Sequence, residues 1–308
     1  MALRFTLRQL EYLIAVGDCG SVAEAAEKVG VSSPSISVAI AQIEAQLGLA
    51  LFIRRHAQGV SLTQAGRQVL DQARVVLAEA ARMTEIASQI SGVVRGSLRV
   101  GCLLTFAQVI LPQLRRGFVT RFPQVEFQQS EGDQDDLFDG LRRARFDVVL
   151  TYDLNIPTDL RFEALATLPP QAVLPADHPL AGRASLAPAD LAPFPMVLLD
   201  LPHSADYFLS LFASAGVKPI IAERTRDIQV MRSLVGNGFG YSIANIRPLS
   251  DRAPDGMPLK TVPLSAGVRP LRIGLLQAEG AGQVQTVRAF ADHARQQIAA
   301  GVPGLIQP

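Results

Sequence analysis

Apolar residues recur at helical spacing over the first fifty residues and fall into three short segments. Ser21 can cap the second segment, and Gly30 can end it in the left-handed conformation that starts a tight turn. A third segment begins after Ser32 or Ser33 and places one apolar residue per turn on a single face, namely Ile36, Ile40, Ile43 and Leu47. Two helices joined by a glycine-containing turn, with a short polar face on the second, are typical of a helix-turn-helix.

Two short apolar runs, at 51–53 and 60–62, flank a basic loop that contains a glycine. This pattern predicts a two-stranded wing. From Thr63 the helical pattern continues to about Ser91, which is long for a helix in a globular protein. Because small residues recur along it, we expect close helix–helix packing and a dimer interface over residues 63–91.

Beyond Ser97, short apolar strands alternate with amphipathic helices. The pattern predicts strands at 98–104, 125–130 and 147–152, with helices over 106–121 and 133–143 between them. Such a βαβαβ series favours a parallel sheet with right-handed crossovers. The same alternation of strands and helices is repeated over about 165–266. A strand at 271–277 and a helix at 283–300 are then expected to pack back onto the first lobe and complete it. We therefore predict two α/β lobes with a ligand cleft between them.

Composition narrows the class of protein. Of 308 residues, 48% are hydrophobic and 19% are charged, which excludes a disordered chain. The longest apolar runs fall short of the roughly 18 residues that a membrane helix needs, and charges interrupt the apolar residues at the start, unlike a signal peptide. Two cysteines, Cys19 and Cys102, are too few for a disulfide framework. We expect a cytoplasmic protein.

Motifs for catalysis and cofactors are missing from the sequence. The four histidines are scattered, and there is no GxSxG, P-loop or HExxH motif. The glycine-rich run 236–240 leads into a strand-like segment, whereas a phosphate loop needs a helix behind it. We expect no enzymatic activity, no cofactor and no metal site. Cys102, inside a predicted buried strand with no basic neighbour, is interpreted as inert packing.

The N-terminal sixty residues resemble the LysR-type transcriptional regulators. The matching motifs are Leu7-Arg8-Gln9-Leu10-Glu11-Tyr12, Gly20-Ser21-Val22-Ala23-Glu24-Ala25-Ala26, Val31-Ser32-Ser33-Pro34-Ser35-Ile36-Ser37, Leu51-Phe52-Ile53-Arg54-Arg55 and Leu62-Thr63-Gln64-Ala65-Gly66. Looser matches, such as Phe146-Asp147-Val148-Val149-Leu150 and Val235-Gly236-Asn237-Gly238-Phe239-Gly240, extend the resemblance over essentially the whole chain.

The resemblance implies an α/β multidomain protein, with an N-terminal winged helix-turn-helix and a two-lobed effector domain like a periplasmic binding protein. The expected boundaries are 1–62 for the DNA-binding domain, 63–91 for the linker helix and 92–308 for the effector domain. Lobe 1 would comprise about 97–164 and 267–308, and lobe 2 about 165–266. The implied partners are double-stranded DNA, a small-molecule effector and further copies of the chain, as a homodimer through 63–91 and a homotetramer through the effector domains.

Two departures from the family concern the predicted recognition helix. Members often carry Gln at the position of Ser33 and Arg at that of Val38, and residues 33–47 contain no Lys or Arg. Residues 1–66 hold five basic and five acidic side chains, so the DNA-binding unit is formally neutral. Since few phosphate contacts supply modest affinity, we infer that binding depends on several linked copies.

The candidate DNA contacts lie on the predicted recognition helix and wing. Serine and glutamine side chains on the helix can reach base edges or phosphates, although an ordinary solvated face is the alternative. Pro34 shapes the helix start, and the arginine pair on the wing is suited to phosphates or the minor groove, with simple solubilisation as the alternative. The predicted set is Arg8, Ser33, Pro34, Ser35, Ser37, Gln42, Arg54 and Arg55.

The candidate effector contacts follow the predicted strands. Thr105, at the start of a helix, can offer its hydroxyl and the free backbone N–H groups behind it, or act only as a cap. In the family, the matching Ser or Thr lines the effector pocket. Gln129 and Ser130, after the second strand, would face the same cleft. The remaining candidates are Leu103 and Phe106 as an apolar wall or as core, and Asp200, His203, Ser204 and Asn245 in lobe 2.

The sequence thus predicts a DNA-binding transcriptional regulator modulated by a small effector. A two-lobed solute-binding protein is one alternative, but it would need an export signal and would have no use for residues 1–91. An enzyme using the same cleft is another, although no acid, base and nucleophile set converges in the sequence. The lining of Thr, Gln and Ser indicates a small polar ligand.

Overall fold

The computed structural model describes residues 5–55, 59–91, 93–265, 267–279, 281 and 284–301. The chain divides into two compact units, residues 1–92 with 142–145 and residues 93–141 with 146–308. Among the described residues, no helix combines the length and the apolar character needed to cross a membrane.

The N-terminal unit is a winged helix-turn-helix. Its elements are α1 (Leu7–Cys19), α2 (Val22–Val29), α3 (Ser33–Leu47), β1 (Phe52–Arg55), β2 (Gly59–Leu62) and α4 (Gln64–Ser91). Ser21 and Ser32 cap α2 and α3, and Gly30 ends α2 at a φ of 67°. The antiparallel pair of β1 and β2 confirms the predicted wing. The long helix is also confirmed, and the Thr63 hydroxyl caps it by accepting a hydrogen bond from Gly66 N at 2.8 Å.

The core of this unit joins the helices to the start of the wing. One cluster packs Leu13 of α1, Ile43 of α3 and Leu70 of α4 against Leu51, all nearly inaccessible to solvent. A second cluster packs α1 against α2 and α3 and includes Ile36. The buried positions of α3 therefore follow the predicted apolar stripe except at its end, since Leu47 is 38% exposed.

The C-terminal unit alternates strands with helices. In chain order its elements are β3 (Gly96–Leu103), α5 (Leu104–Ala107), α6 (Leu111–Arg121), β4 (Val125–Gly132), α7 (Gln134–Arg142), β5 (Val148–Tyr152), β6 (Leu160–Leu168), β7 (Gln171–Pro175), α8 (Pro188–Leu191), β8 (Pro195–Leu199), α9 (Ser204–Ser214), β9 (Ile220–Thr225), α10 (Ile228–Gly236), β10 (Ser242–Ala244), β11 (Leu259–Pro263), β12 (Leu271–Ala278) and α11 (Gln285–Ala299).

Lobe 1 is built on a five-stranded sheet with the order β4-β3-β5-β12-β6. The parallel pairing of β3 with β4 and β5 confirms the predicted βαβαβ series, and β12 pairs antiparallel with β5 and β6. The return of β12 and α11 to this lobe is confirmed as well. Strand β6, which the sequence pattern did not predict, runs to Leu168 and so passes the expected lobe boundary at residue 164.

One predicted helix of lobe 1 is wrong in its extent. The expected helix over 106–121 is broken into α5 and α6, with Pro112 in the first turn of α6. A proline inside a continuous helix would clash with the carbonyl group four residues earlier, that of Gln108, so the helix restarts just before it.

Lobe 2 contains two small sheets, β10-β7-β11 and β8-β9. The sequence pattern did not predict β7, β11 or α8. The strand-like segment expected after the glycine-rich run is β10, which begins at Ser242; before it, Gly240 adopts a φ of 148°, and a Cβ there would lie 2.3 Å from the carbonyl oxygen of Pro195. The chain crosses between the lobes after Leu168 and again before Leu271.

Candidate functional site

The start of α3 carries serine side chains and no charged residue. Ser32 Oγ accepts a hydrogen bond from Ser35 N and lies 2.8 Å from Ser35 Oγ, which fixes the first turn. Pro34 and Ser35 are exposed, whereas Ser33 and Ser37 are half-buried. The residue before the helix is therefore the cap, and Ser33 is its first helical residue. Pro34 and Ser35 are the most accessible of these predicted contacts.

Two further predicted contacts are held by side chains of α1. Gln9 Nε2 donates a hydrogen bond to Gln42 Oε1 at 2.7 Å, and Gln9 also completes the capping box of α1. Arg8 Nε donates to the Tyr12 hydroxyl at 2.9 Å. This hydrogen bond raises the pKa of the exposed Arg8 guanidinium, which therefore stays fully charged. Both side chains have a restricted orientation before any ligand binds.

The wing is anchored to the helix-turn-helix through its backbone. Glu44 Oε1, on α3, accepts hydrogen bonds from Leu51 N at 2.7 Å and Phe52 N at 3.2 Å. On the other strand, Val60 N donates to Gly20 O at 2.8 Å. The wing strands thus have a set position relative to α3. Arg54 and Arg55 lie at the outer end of β1, opposite Val60 and Gly59, and their side chains lie outside the described part of the structure.

In lobe 1, Thr105 of α5 lies beside Tyr152. The Phe106 and Tyr152 rings meet edge to face at 4.5 Å, and Leu103 and Phe106 are both fully buried core residues. Thr105 is 4% exposed, and its Oγ1 has no hydrogen-bond partner among the described residues. The Tyr152 phenol is close enough to interact with it, yet their geometry falls short of a hydrogen bond.

The idea that Thr105 caps a helix is wrong. Leu103 occupies the cap position of the four-residue helix α5, and Thr105 lies one residue inside that helix. Its hydroxyl is therefore not used by the backbone N–H groups. Among the described residues it is a buried polar group with only the Tyr152 phenol near it, and burial without a good hydrogen bond is costly.

Asn245 joins the two lobes at the crossover. Its Nδ2 donates to Leu168 O at 2.8 Å and to the Tyr207 hydroxyl at 3.1 Å, while Tyr207 donates to Arg269 O at 2.7 Å. Asn245 is 5% exposed, and its Oδ1 has no partner among the described atoms. Burial raises the pKa of Tyr207 to about 12 and raises that of Tyr152 further, so both phenols are neutral at physiological pH.

Polar contacts also link the lobes farther from the crossover. His203 Nε2 lies 2.8 Å from Asp135 Oδ1, and His203 Nδ1 lies 2.9 Å from Asn155 Nδ2. Arg226 of lobe 2 forms an ion pair with Asp133 of lobe 1. His203 adopts a φ of 61°, a backbone conformation that side-chain-bearing residues rarely use. The predicted residue His203 is therefore an interlobe contact.

The remaining predicted residues lie in β4 and between the end of β8 and the start of α9. Gln129 and Ser130 lie inside β4, not after it, because this strand continues to Gly132. Gln129 accepts a hydrogen bond from Arg115 of α6 at 3.0 Å, and Ser130 is exposed. In lobe 2, Asp200 pairs with Arg224 at 3.1 Å, and Ser204 is 3% exposed at the start of α9.

Two family models match consecutive parts of the chain. The bacterial regulatory helix-turn-helix protein model of the lysR family matches residues 7–67, and the LysR substrate binding domain matches residues 91–299. The chain belongs to the LysR family of transcriptional regulators. It therefore combines a DNA-binding domain with an effector-binding domain, and the members of this family bind DNA and small effectors and oligomerise.

Relatives of this LysR-family chain cover nearly its full length. The structure of HinK, a LysR family regulator from Pseudomonas aeruginosa, is 35% identical, has a TM-score of 0.64 and covers 96% of this chain and 99% of its own. The transcriptional activator protein LysR of Escherichia coli is 28% identical over 97% of this chain and 94% of its own. Full-length CbnR, solved with its target DNA, is 26% identical and has a TM-score of 0.67. It covers 95% of this chain and 99% of its own.

Three polar residues near the carboxyl ends of β4 and β5, namely Gln134, Asp135 and Tyr152, were missed from the sequence of this LysR-family chain. Gln134, fully buried in α7, donates through Nε2 to Tyr152 O at 3.1 Å and to Leu154 O at 2.7 Å, and its Oε1 is unpartnered among the described atoms. Gln134 and Asp135 follow the end of β4, and Tyr152 ends β5. Since ligands bind beyond the carboxyl ends of parallel strands, these positions were a usable signal.

Proposed function

We propose that this LysR-family regulator binds its operator through the exposed start of α3 and the wing, and that it senses an effector between its two lobes. The observation that carries the first part is the wing itself. The backbone at the start of β1 is hydrogen-bonded to Glu44 of α3, so the wing backbone that carries Arg54 and Arg55 is anchored to the recognition helix. CbnR, a related LysR-family regulator, has been solved with its target DNA, which supports the same use of this unit here.

The proposed DNA contacts divide into two kinds. Residues on α3 supply hydrogen bonds to base edges and sugar-phosphate groups, whereas the basic side chains supply phosphate contacts that carry no sequence information. The proposed α3 set is Ser33, Pro34, Ser35, Ser37 and Gln42. The proposed phosphate contacts are Arg54 and Arg55 on the wing and Arg8 on α1.

The proposed effector site lies where buried unpartnered atoms meet the lobe boundary. Thr105 Oγ1, Gln134 Oε1 and Asn245 Oδ1 are buried and lack partners among the described atoms, so a polar ligand would satisfy them. Leu103 and Phe106 supply the apolar wall, and Asp200, His203 and Ser204 lie on the side of lobe 2. Effector binding would shift the lobes between two arrangements and change how the assembled copies hold DNA.

We also propose that two copies associate through α4, whose length and small residues suit helix–helix packing. Larger assemblies would form through the effector-binding domains. The protein would act in the cytoplasm, where bacterial DNA lies, as a regulator without enzymatic activity of its own.

A charge-removal experiment tests the phosphate contacts. We expect Arg54→Ala with Arg55→Ala to weaken binding to every duplex sequence to a similar degree. A dimer carries two copies of this arginine pair, which would together contact about four phosphates. Without them, the slope of log affinity against log salt concentration should become shallower by roughly 3 to 4. The measurement is fluorescence anisotropy on a labelled duplex pool between 50 and 200 mM salt.

The matched control removes two exposed charges from the other unit, through Arg183→Ala with Lys260→Ala. This control should leave the salt slope unchanged. A wing variant that behaves like the control, or one that changes only which sequences are preferred, would contradict phosphate contact by Arg54 and Arg55.

A further inference from the structure

The exposed side of α3 carries a continuous apolar column. Pro34, Val38, Ala41 and Ala45 stand at spacings of four, three and four residues, which places them in line on one face of a helix. All four are exposed, and Val38 is 56% accessible. The column starts in the first turn of the helix and is bordered by Ser35 and Gln42.

Packing within the N-terminal unit does not account for Val38. The core positions of α3 are Ile36, Ala39, Ile40 and Ile43, and Val38 lies on the other side. A β-branched residue on an exposed helix surface also lowers helix propensity relative to alanine. A single exposed valine is ordinary on a protein surface. What distinguishes Val38 is its place in the proposed DNA-reading face of α3.

The chemistry of that face limits which bases it can read. Residues 33–47 contain no Lys or Arg, the side chains that pair in bidentate fashion with guanine in the major groove. Among the four bases, thymine alone presents a methyl group in that groove, and apolar side chains recognise it by contact. Val38 is the sixth residue of α3, within the N-terminal part of a recognition helix that contacts base edges.

We propose that Val38 is a specificity-determining residue that contacts the C5-methyl group of a thymine in each operator half-site. Pro34 and Ala41 extend the same apolar surface along the groove. The contact would favour T at one defined position and would replace the guanine recognition that an arginine there would supply. This inference rests on the proposed use of α3 in DNA binding.

Uracil in place of thymine removes only the methyl group and so tests the contact directly. The full-length protein is first used to enrich sequences from a random duplex pool. Each thymine of the enriched half-site is then replaced by uracil, and affinities are measured by fluorescence anisotropy. We expect one position per half-site where uracil weakens wild-type binding about fourfold, the factor for one buried methyl group, and about sixteenfold when both half-sites are changed.

Val38→Ala should abolish the difference between thymine and uracil at that position. The matched control is Val230→Ala, which shortens a valine of similar exposure, 49%, in the C-terminal unit and should keep the full difference. The inference is overturned if uracil is tolerated at every position of an enriched site, or if Val38→Ala keeps the wild-type ratio. If no sequence is enriched at all, both the proposed use of α3 in DNA binding and the inference about Val38 are wrong.

Discussion

Replacing Thr105 by valine exchanges a buried hydroxyl for a methyl group of nearly the same shape. Thr105 is 4% exposed, and its hydroxyl oxygen is buried with no hydrogen-bond partner among the described residues. Here we expect Thr105→Val to make the effector-free protein more stable and to weaken its response to the effector.

The magnitude follows from the cost of burying a polar group. A hydroxyl buried without a hydrogen bond costs about 1–3 kcal/mol in proteins, and the valine methyl removes that cost. We expect a gain of about 1 kcal/mol in the free energy of unfolding. For a unit of roughly 200 residues this raises the melting temperature by about 2–4 °C. A hydrogen bond lost to the effector would lower effector affinity by roughly three- to tenfold.

Calorimetry of the full chain measures the first effect. For the second, compounds that raise the melting temperature of the wild type are found among small organic acids, amino acids and purine catabolites, and their stabilisation of the variant is compared. Thr151→Val is the matched control. Thr151 is also fully buried with an unpartnered hydroxyl, but it precedes Tyr152 in β5 and so points to the opposite face of the sheet.

The control should gain stability like Thr105→Val and keep the effector response. A loss of about 1 kcal/mol in Thr105→Val would refute the reasoning, because it would mean that the hydroxyl makes a hydrogen bond with Tyr152 in solution. An unchanged effector response would show instead that Thr105 does not line the site.

Two further predictions concern other buried contacts. Glu44→Ala leaves the N–H groups of Leu51 and Phe52 without their acceptor, so the N-terminal unit should lose about 2 kcal/mol by calorimetry; Glu44→Gln, which keeps an oxygen, should lose less. Burial lowers the pKa of His293, so the unfolded chain takes up the proton first, and stability should fall as the pH drops through about 6.5. His293→Gln should lose less stability in urea unfolding between pH 7.5 and 5.5 than the wild type, and equal losses would contradict the assignment.

Sequence patterns predicted the helix-turn-helix closely because its signals are local. Ser21 and Ser32 are caps within three residues of the N–H groups they satisfy, and Gly30 ends α2 by its own backbone conformation. The first three strands of lobe 1 were likewise predicted from short local patterns, such as the buried run Val148–Tyr152 of β5. The break before α6 was missed although Pro112 is a local signal for it.

The strands β6, β7 and β11 were not predicted because distant pairing defines them. Strand β6 pairs along its whole length with β12, more than a hundred residues later in the chain, and β7 lies between β10 and β11. An edge strand with mixed burial, as in β6, shows no clear alternation along its own sequence. Its position is decided when the partner strand is already in place.

The sequence by itself determined the class of each unit, the face of α3 that avoids the core, and the uncharged character of that face. These depend on spacing and side-chain type within a few turns. Only the tertiary structure decided that His203 meets Asp135 and that Asn245 meets Tyr207. The first contact requires the chain to cross from lobe 1 to lobe 2, and the second brings α9 against the end of β10. No local pattern encodes such a contact, because its free energy appears only when two separately folded surfaces come together.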